Sequence, residues 1–241
     1  MDTAAVVMAA GRGTRMRSDL PKPLVPLAEK PLVQHLLEAL EDAGVTRQVV
    51  VVGHDAPRVR AALGPHVHTA LQPVLNGTAS AVEAAQSAVG DAREVLVTVG
   101  DSPLLTAASV RRLLEHHRKT EAACTFLTAH FERHFPYGRV LRDSEGRVLG
   151  CVEERNATPE QRRIQEYLSS HYVFQAEALW RVLPRIGSHP DSRERYLTDI
   201  IALLIQGGER VEALVIEDWK ELVGLNTPED VAWATEVLHG R

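Results

Sequence analysis

The chain has 241 residues, 44% of them hydrophobic, and a formal net charge of −5 at pH 7. That length supports one sizeable core, and the acidic balance argues against a nucleic-acid footprint, which carries a basic patch. Two cysteines, Cys124 and Cys151, with no Cys-x-x-Cys pair, give no basis for a disulfide framework or a zinc site. The N-terminal apolar run AAVVMAA falls far short of the roughly 18 residues of a membrane span. A cytoplasmic protein is expected, without nucleic-acid or membrane partners; the oligomeric state stays open.

Short apolar runs at 4–10, 48–53, 67–72, 95–100 and 124–130 read as strands. Between them lie helical patterns. Leu32, Leu36, Leu37 and Leu40 recur at helical spacing, with Gly44 where the helix should stop. Stretches 77–89 and 107–118 read the same way, and His116-His117 in the latter are expected to be solvated. Strands alternating with helices imply βαβ units and a mainly parallel sheet. Ligands then gather at the carboxyl ends of its strands.

The pattern changes after about residue 135. Segments 139–143 and 147–153 flank Ser-Glu-Gly and read as a β-hairpin. Thr158-Pro159-Glu160-Gln161 has the chemistry of a capped helix start. A helical run covers 196–206 before Gly207-Gly208, and Thr227-Pro228 opens a last helix. With no linker or repeat, 1–241 is expected to be one domain. Its nucleotide-binding half would cover about 1–130 and its sugar-binding half about 131–241, the latter a lobe on the same sheet.

Three strings carry the chemistry. AAGRGTRMRSDLPKPL follows the first strand at once. Gly11 and Gly13 permit backbone conformations closed to other residues and let N–H groups approach phosphate oxygens. Arg15 and Lys22 add fixed positive charge of the kind a reacting triphosphate requires. The string lacks the third Gly of a dinucleotide fingerprint and the Gly-Lys-Ser/Thr of a P-loop. In LQPVLNGTASA, Gln72 offers both a donor and an acceptor, and Gly77-Thr78 opens a helix with free N–H groups. In VTVGDSPLL, Asp101 stands at the carboxyl end of a buried strand, where an oxygen ligand suits Mg²⁺.

These strings, in this order, resemble sugar-1-phosphate nucleotidyltransferases. The similarity is closest to the uridylyltransferase domain of N-acetylglucosamine-1-phosphate uridylyltransferase and covers nearly the whole chain. It implies an α/β, Rossmann-like three-layer fold with an inserted sugar-binding β-hairpin lobe. It implies transfer of a nucleotidyl group from a nucleoside triphosphate, UTP first and dTTP second, to a sugar 1-phosphate. On the nucleotide it implies Met8, Ala9, Ala10, Gly11, Gly13, Gln72, Gly77, Thr78 and Gly100, with Arg15 and Lys22 as the catalytic cations. It implies Mg²⁺ on Asp101 and on Asn226 of ELVGLNTPED. On the sugar it implies Gly138 of YGRVL, Glu153 of CVEERNAT, Ser169, and Tyr196 and Thr198 of RYLTDII. By contrast, Leu197, Ile200, Ile201 and Leu204 on that last segment read as core.

Three departures bear on specificity. Where the family has Asn-Thr-Gly after the Glu-rich segment, this chain has Leu168-Ser169-Ser170, and Leu168 cannot make an amide's hydrogen bonds. Val99 stands where the family commonly has Tyr. No hexapeptide repeat follows the last helix, so neither acetyl transfer nor the trimer that goes with it is expected. Two other classes stay open: a non-catalytic sugar-nucleotide-binding regulator, and a cytidylyl- or guanylyltransferase acting on a non-sugar phosphate.

Overall fold

The computed structural model describes residues 2–132 and 134–240. In chain order the strands are β1 (Thr3–Met8), β2 (Pro26–Leu27), β3 (Lys30–Pro31), β4 (Arg47–Val52), β5 (His68–Leu71), β6 (Glu94–Val99), β7 (Cys124–His130), β8 (Gly138–Arg142), β9 (Val148–Val152), β10 (Glu166–Gln175) and β11 (Val211–Val215). The helices are α1 (Leu32–Asp42), α2 (Ala56–Ala62), α3 (Thr78–Ala84), α4 (Gln86–Val89), α5 (Ala107–Thr120), α6 (Ala176–Val182), α7 (Asp199–Gln206) and α8 (Pro228–His239).

Among the described residues, one sheet runs β11-β7-β10-β6-β1-β4-β5, with the β8–β9 hairpin attached at β10. The β6-β1-β4-β5 part is parallel throughout, and β10 is antiparallel to both of its sheet neighbours. The second half of the chain therefore supplies an inner strand of the sheet begun by the first. Strand alternation divides the core into two layers. Ala5 and Val7 of β1 face α1, α5 and α8, whereas Ala4, Val6 and Met8 face α3, α6 and α7. Leu197, Ile200, Ile201 and Leu204 are buried on the second face, as their spacing predicts.

Several local expectations need correction. Thr158 and Gln161 do exchange hydrogen bonds in the manner of a capping box. Yet only a 3-10 turn, Gln161–Arg163, follows, because these residues are polar and exposed and offer no apolar face to bury. The 196–206 run begins as α-helix only at Asp199, since Tyr196 and Leu197 are held by neighbouring segments. The 77–89 pattern breaks at Ala85 into α3 and α4. His117 is not solvated. It lies on the buried face of α5, its Nδ1 2.9 Å from Thr125 Oγ1, and burial pushes its pKa down to about 4. The long strand β10 has no simple alternation because both its faces are covered, and sequence patterning passes over it.

Candidate active site

A cavity of about 300 Å³ opens at the carboxyl ends of β1, β5 and β6. This is the position an open parallel sheet reserves for ligands. Met8, Ala9, Ala10 and Gly11 line it from the first loop, Gln72, Gly77 and Thr78 from the segment after β5, and Val99, Gly100 and Asp101 from the end of β6. Lys22 and Tyr196 line it too.

The first loop is shaped by its glycines unequally. Gly13 sits in the left-handed region, at φ 61°, and a Cβ there would run into the Lys22 side chain. It does not line the cavity; it lets Lys22 pack close. The conformational argument for Gly11 does not hold, because its φ is ordinary, and a Cβ there would meet nothing within 4 Å. What Gly11 leaves is open space beside the backbone. Gly100 serves close packing: its N–H donates to Met8 O at 2.9 Å, and a Cβ would lie 3.1 Å from Ala9 Cβ.

Four side chains from distant parts of the sequence converge at one end of this cavity. The Lys22 ammonium donates to Asp101 Oδ2 and, at 2.7 Å, to Asn226 Oδ1. Arg15 Nη2 donates to the same Asn226 oxygen at 3.0 Å. Arg15 and Lys22 thus place two cations beside Asn226, positioned to meet a polyanion. The Asp101 and Asn226 oxygens accept from one ammonium, so they converge on a single cation-sized position. Both are hard oxygen donors, and two protein ligands leave room for phosphate oxygens and water, the coordination Mg²⁺ prefers. Among the described residues no group of three or more His, Cys, Asp or Glu forms a metal cluster. Asn226 also belongs to the start of α8, where its N–H donates to Asp230 and the adjacent Thr227 completes a capping box.

The segment after β5 is braced by the second half of the chain. Gln72 is buried, and its Nε2 donates to Gly77 O at 3.0 Å, fixing the amide at the cavity. Gly77 has φ 118°, and a Cβ there would overlap the Arg195 backbone. Asn76 O accepts from Arg195 N, Arg195 O accepts from Ala79 N, and the Thr78 hydroxyl accepts from Leu197 N. The Thr78 hydroxyl thus accepts one structural hydrogen bond and keeps its O–H donor for the cavity it lines. Arg195, which sequence reasoning passed over, is the strap across this junction. Glu194 was missed as well. It lines the cavity and accepts the Tyr196 hydroxyl at 2.6 Å, and the only sequence signal was its spacing two residues before Tyr196.

Gly138, Glu153 and Thr198 form a second group beside the cavity rather than in its lining. Thr198 donates to Glu153 Oε1 at 2.7 Å, and a Cβ on Gly138 would lie 3.9 Å from Thr198 Cγ2. Burial raises the Glu153 pKa, outweighing the Thr198 hydrogen bond. Leu168 and Ser169 enter a bulge of β10 between Leu168 and Tyr172. Leu168 packs into the apolar layer with Val140 and Leu197. Ser169 is buried, and its Oγ has no hydrogen-bond partner among the described residues. Ser170 holds the left-handed conformation at φ 66°, which a glycine would adopt without strain. No helix among the described residues is long and apolar enough to cross a membrane.

Residues 5–197 match the MobA-like NTP transferase domain. The chain is 40% identical over 242 residues to the bifunctional protein GlmU of Exiguobacterium sibiricum, covering 100% of this chain and 54% of that protein. It is 39% identical to GlmU of Enterococcus faecalis, over 98% of this chain and 52% of that protein. The corresponding protein of Heliobacterium modesticaldum is 41% identical over the same shares. The chain thus spans about half the length of these curated relatives. With a match over most of its length and the glycine loop, Lys22 and Asp101 gathered at one cavity, the chain belongs to the MobA-like NTP transferase domain family.

Proposed function

We propose that the protein joins a nucleoside triphosphate, UTP first, to a sugar 1-phosphate and releases pyrophosphate, with Mg²⁺ as cofactor. The observation that carries this is the convergence of Arg15, Lys22, Asp101 and Asn226 at the end of a cavity lined by the glycine loop and by Gln72-Gly77-Thr78. The base lies against Gln72, Gly77 and the Met8–Gly11 backbone, and Gln72 reads its edge. Arg15 and Lys22 hold the phosphates and oppose the charge that moves onto pyrophosphate. A cation bound by Asp101 and Asn226 would supply further positive charge to the phosphates. Gly138, Glu153, Ser169, Tyr196 and Thr198 receive the sugar. The sugar phosphate is already an anion, so no side-chain nucleophile is required, and the protein's work is positioning and electrostatics.

Val99 in the cavity lining and the apolar packing of Leu168 support a site without a strong preference for the N-acetylated sugar. Thymidylyl transfer is the nearest alternative in base. Pyrophosphate release is measured for the matrix of nucleoside triphosphates and sugar 1-phosphates with Mg²⁺. UTP or dTTP with a hexose 1-phosphate is the expected pair. Nucleotide binding with no release for any pair would leave a regulator in place of an enzyme. Turnover undiminished in excess chelator would remove the metal.

A further inference from the structure

Tyr137 lies at the start of β8, next to Gly138, yet its hydroxyl reaches the other side of the site. Its Oη accepts the Gly224 N–H at 2.9 Å. Gly224 is the point on which both candidate metal ligands rest. Its Cα packs so closely against Asp101 that an added Cβ would lie 3.2 Å from Oδ1 and 3.3 Å from Oδ2. Its carbonyl accepts from Asn226 Nδ2 at 2.9 Å, which turns the amide so that Oδ1 faces Lys22. The next residue, Leu225, donates its N–H to Asp101 O at 2.8 Å. Gly224 thus joins two peptides. The Val223–Gly224 peptide carries the N–H that Tyr137 accepts. The Gly224–Leu225 peptide carries the carbonyl and N–H that hold the Asn226 amide and the Asp101 backbone. Whatever fixes Gly224 therefore bears on the separation of the Asp101 and Asn226 oxygens.

The Tyr137 ring is itself fixed. It stacks on Phe135 at 5.3 Å and meets Phe131 edge-on at 5.8 Å, and Phe131 packs on Trp219 at 5.4 Å. Trp219 begins the 3-10 turn Trp219–Leu222 that leads directly into Gly224. The phenol is thus held by the aromatic cluster at one end and spends its acceptor on the metal-side loop at the other. Burial raises its pKa above the ordinary range, so the hydroxyl stays neutral across the working pH range.

We propose that Tyr137 is a positioning residue that anchors Gly224 through its N–H and thereby helps hold the Asp101 carboxylate and the Asn226 amide oxygen on one cation position, tying the hairpin to the metal side of the site. The proposal rests on Asp101 and Asn226 as the metal pair. Groups behind a ligand typically change metal affinity by about 10- to 100-fold when removed.

The test is Mn²⁺ binding in the presence of UTP and without sugar phosphate, followed by water-proton relaxation, so that no turnover enters. Tyr137→Phe keeps the ring and removes the acceptor, and it should weaken Mn²⁺ binding by about tenfold while the melting temperature holds within a few degrees. Gly224→Ala sets a Cβ against the Asp101 carboxylate itself and should weaken binding in the same direction, which tests the Gly224–Asp101 packing and not the tyrosine. Asp101→Asn should reduce Mn²⁺ binding to that of UTP alone. If Asp101→Asn binds like the wild type, the metal pair is misassigned. If Asp101→Asn loses binding while Tyr137→Phe keeps it, the metal pair stands and the role of Tyr137 is overturned.

Discussion

The glycine-loop side and the hairpin side of the site hold their polar groups by different means. On the first, Met8–Gly11, Gly100 and Asp101 leave the ends of neighbouring parallel strands, buried on both faces and paired register by register. Their positions are inherited from the sheet. On the second, Glu153 and Thr198 meet across separate segments, beside a bulge in β10 where Ser170 sits at positive φ. Those positions are maintained by individual contacts, and one of them carries backbone strain. The first group is therefore the more rigidly placed of the two.

The comparison breaks first at Lys22. Lys22→Ala should lower turnover on the order of 10²-fold or more, as loss of a preorganised donor to developing charge does. The fold should survive, because Lys22 lies outside the apolar core, although its side chain is only 13% exposed and its loss leaves Asp101 without its ion-pair partner. Near-normal kcat would show that the charges here are dispensable. Gly77 comes next. A Cβ there overlaps the Arg195 backbone at φ 118°, so Gly77→Ala should cost roughly 2–3 kcal/mol or more of stability, within the range for a special backbone position. Urea denaturation measures it, and a neutral result would mean the strap between the two halves is loose.

On the hairpin side the expected effects are smaller. The wild type should not strongly prefer N-acetylglucosamine 1-phosphate over other hexose 1-phosphates. Leu168→Asn with Ser170→Gly should raise that preference by about one to two decades, the roughly 1–3 kcal/mol of a substrate hydrogen bond. Ratios of kcat/KM for both sugars decide it. A wild type already favouring the N-acetylated sugar a thousandfold would show that Glu153 and Gly138 suffice. Glu153 supplies the smallest effect. Burial holds its folded-state pKa above the ordinary 4.5. Its contribution to stability is therefore fully present below that value and is lost as the pH rises through the raised one. Glu153→Gln should raise the melting temperature at pH 8 by no more than roughly 4 °C, and leave it unchanged at pH 4. A gain of equal size at both pH values would remove ionisation as the cause.

The sequence by itself located β1 and β4 to β7, the helical stretches of α1, α3–α4 and α5, the β8–β9 hairpin and the cap of α8, because these depend on local spacing, capping chemistry and residue type; it carried no sign of β2, β3 or α2. Arg15, Lys22, Asp101 and Asn226 stood out by residue type together with the family resemblance. Only the tertiary structure decided the rest. Residues 158–163 carry a helix cap but no apolar face, so the chain turns into β10 instead. The Thr78 hydroxyl accepts the Leu197 N–H from 119 residues away, a structural bond that local sequence does not announce. His117 sits in a polar string and is buried because α5 presents that face to β7. Arg15, Lys22, Asp101 and Asn226 are 211 residues apart at their widest. Their meeting depends on β6 lying beside β1 and on the segment before α8 folding back over Asp101. Local sequence carries no term for such long-range closure, and the packed sheet supplies it.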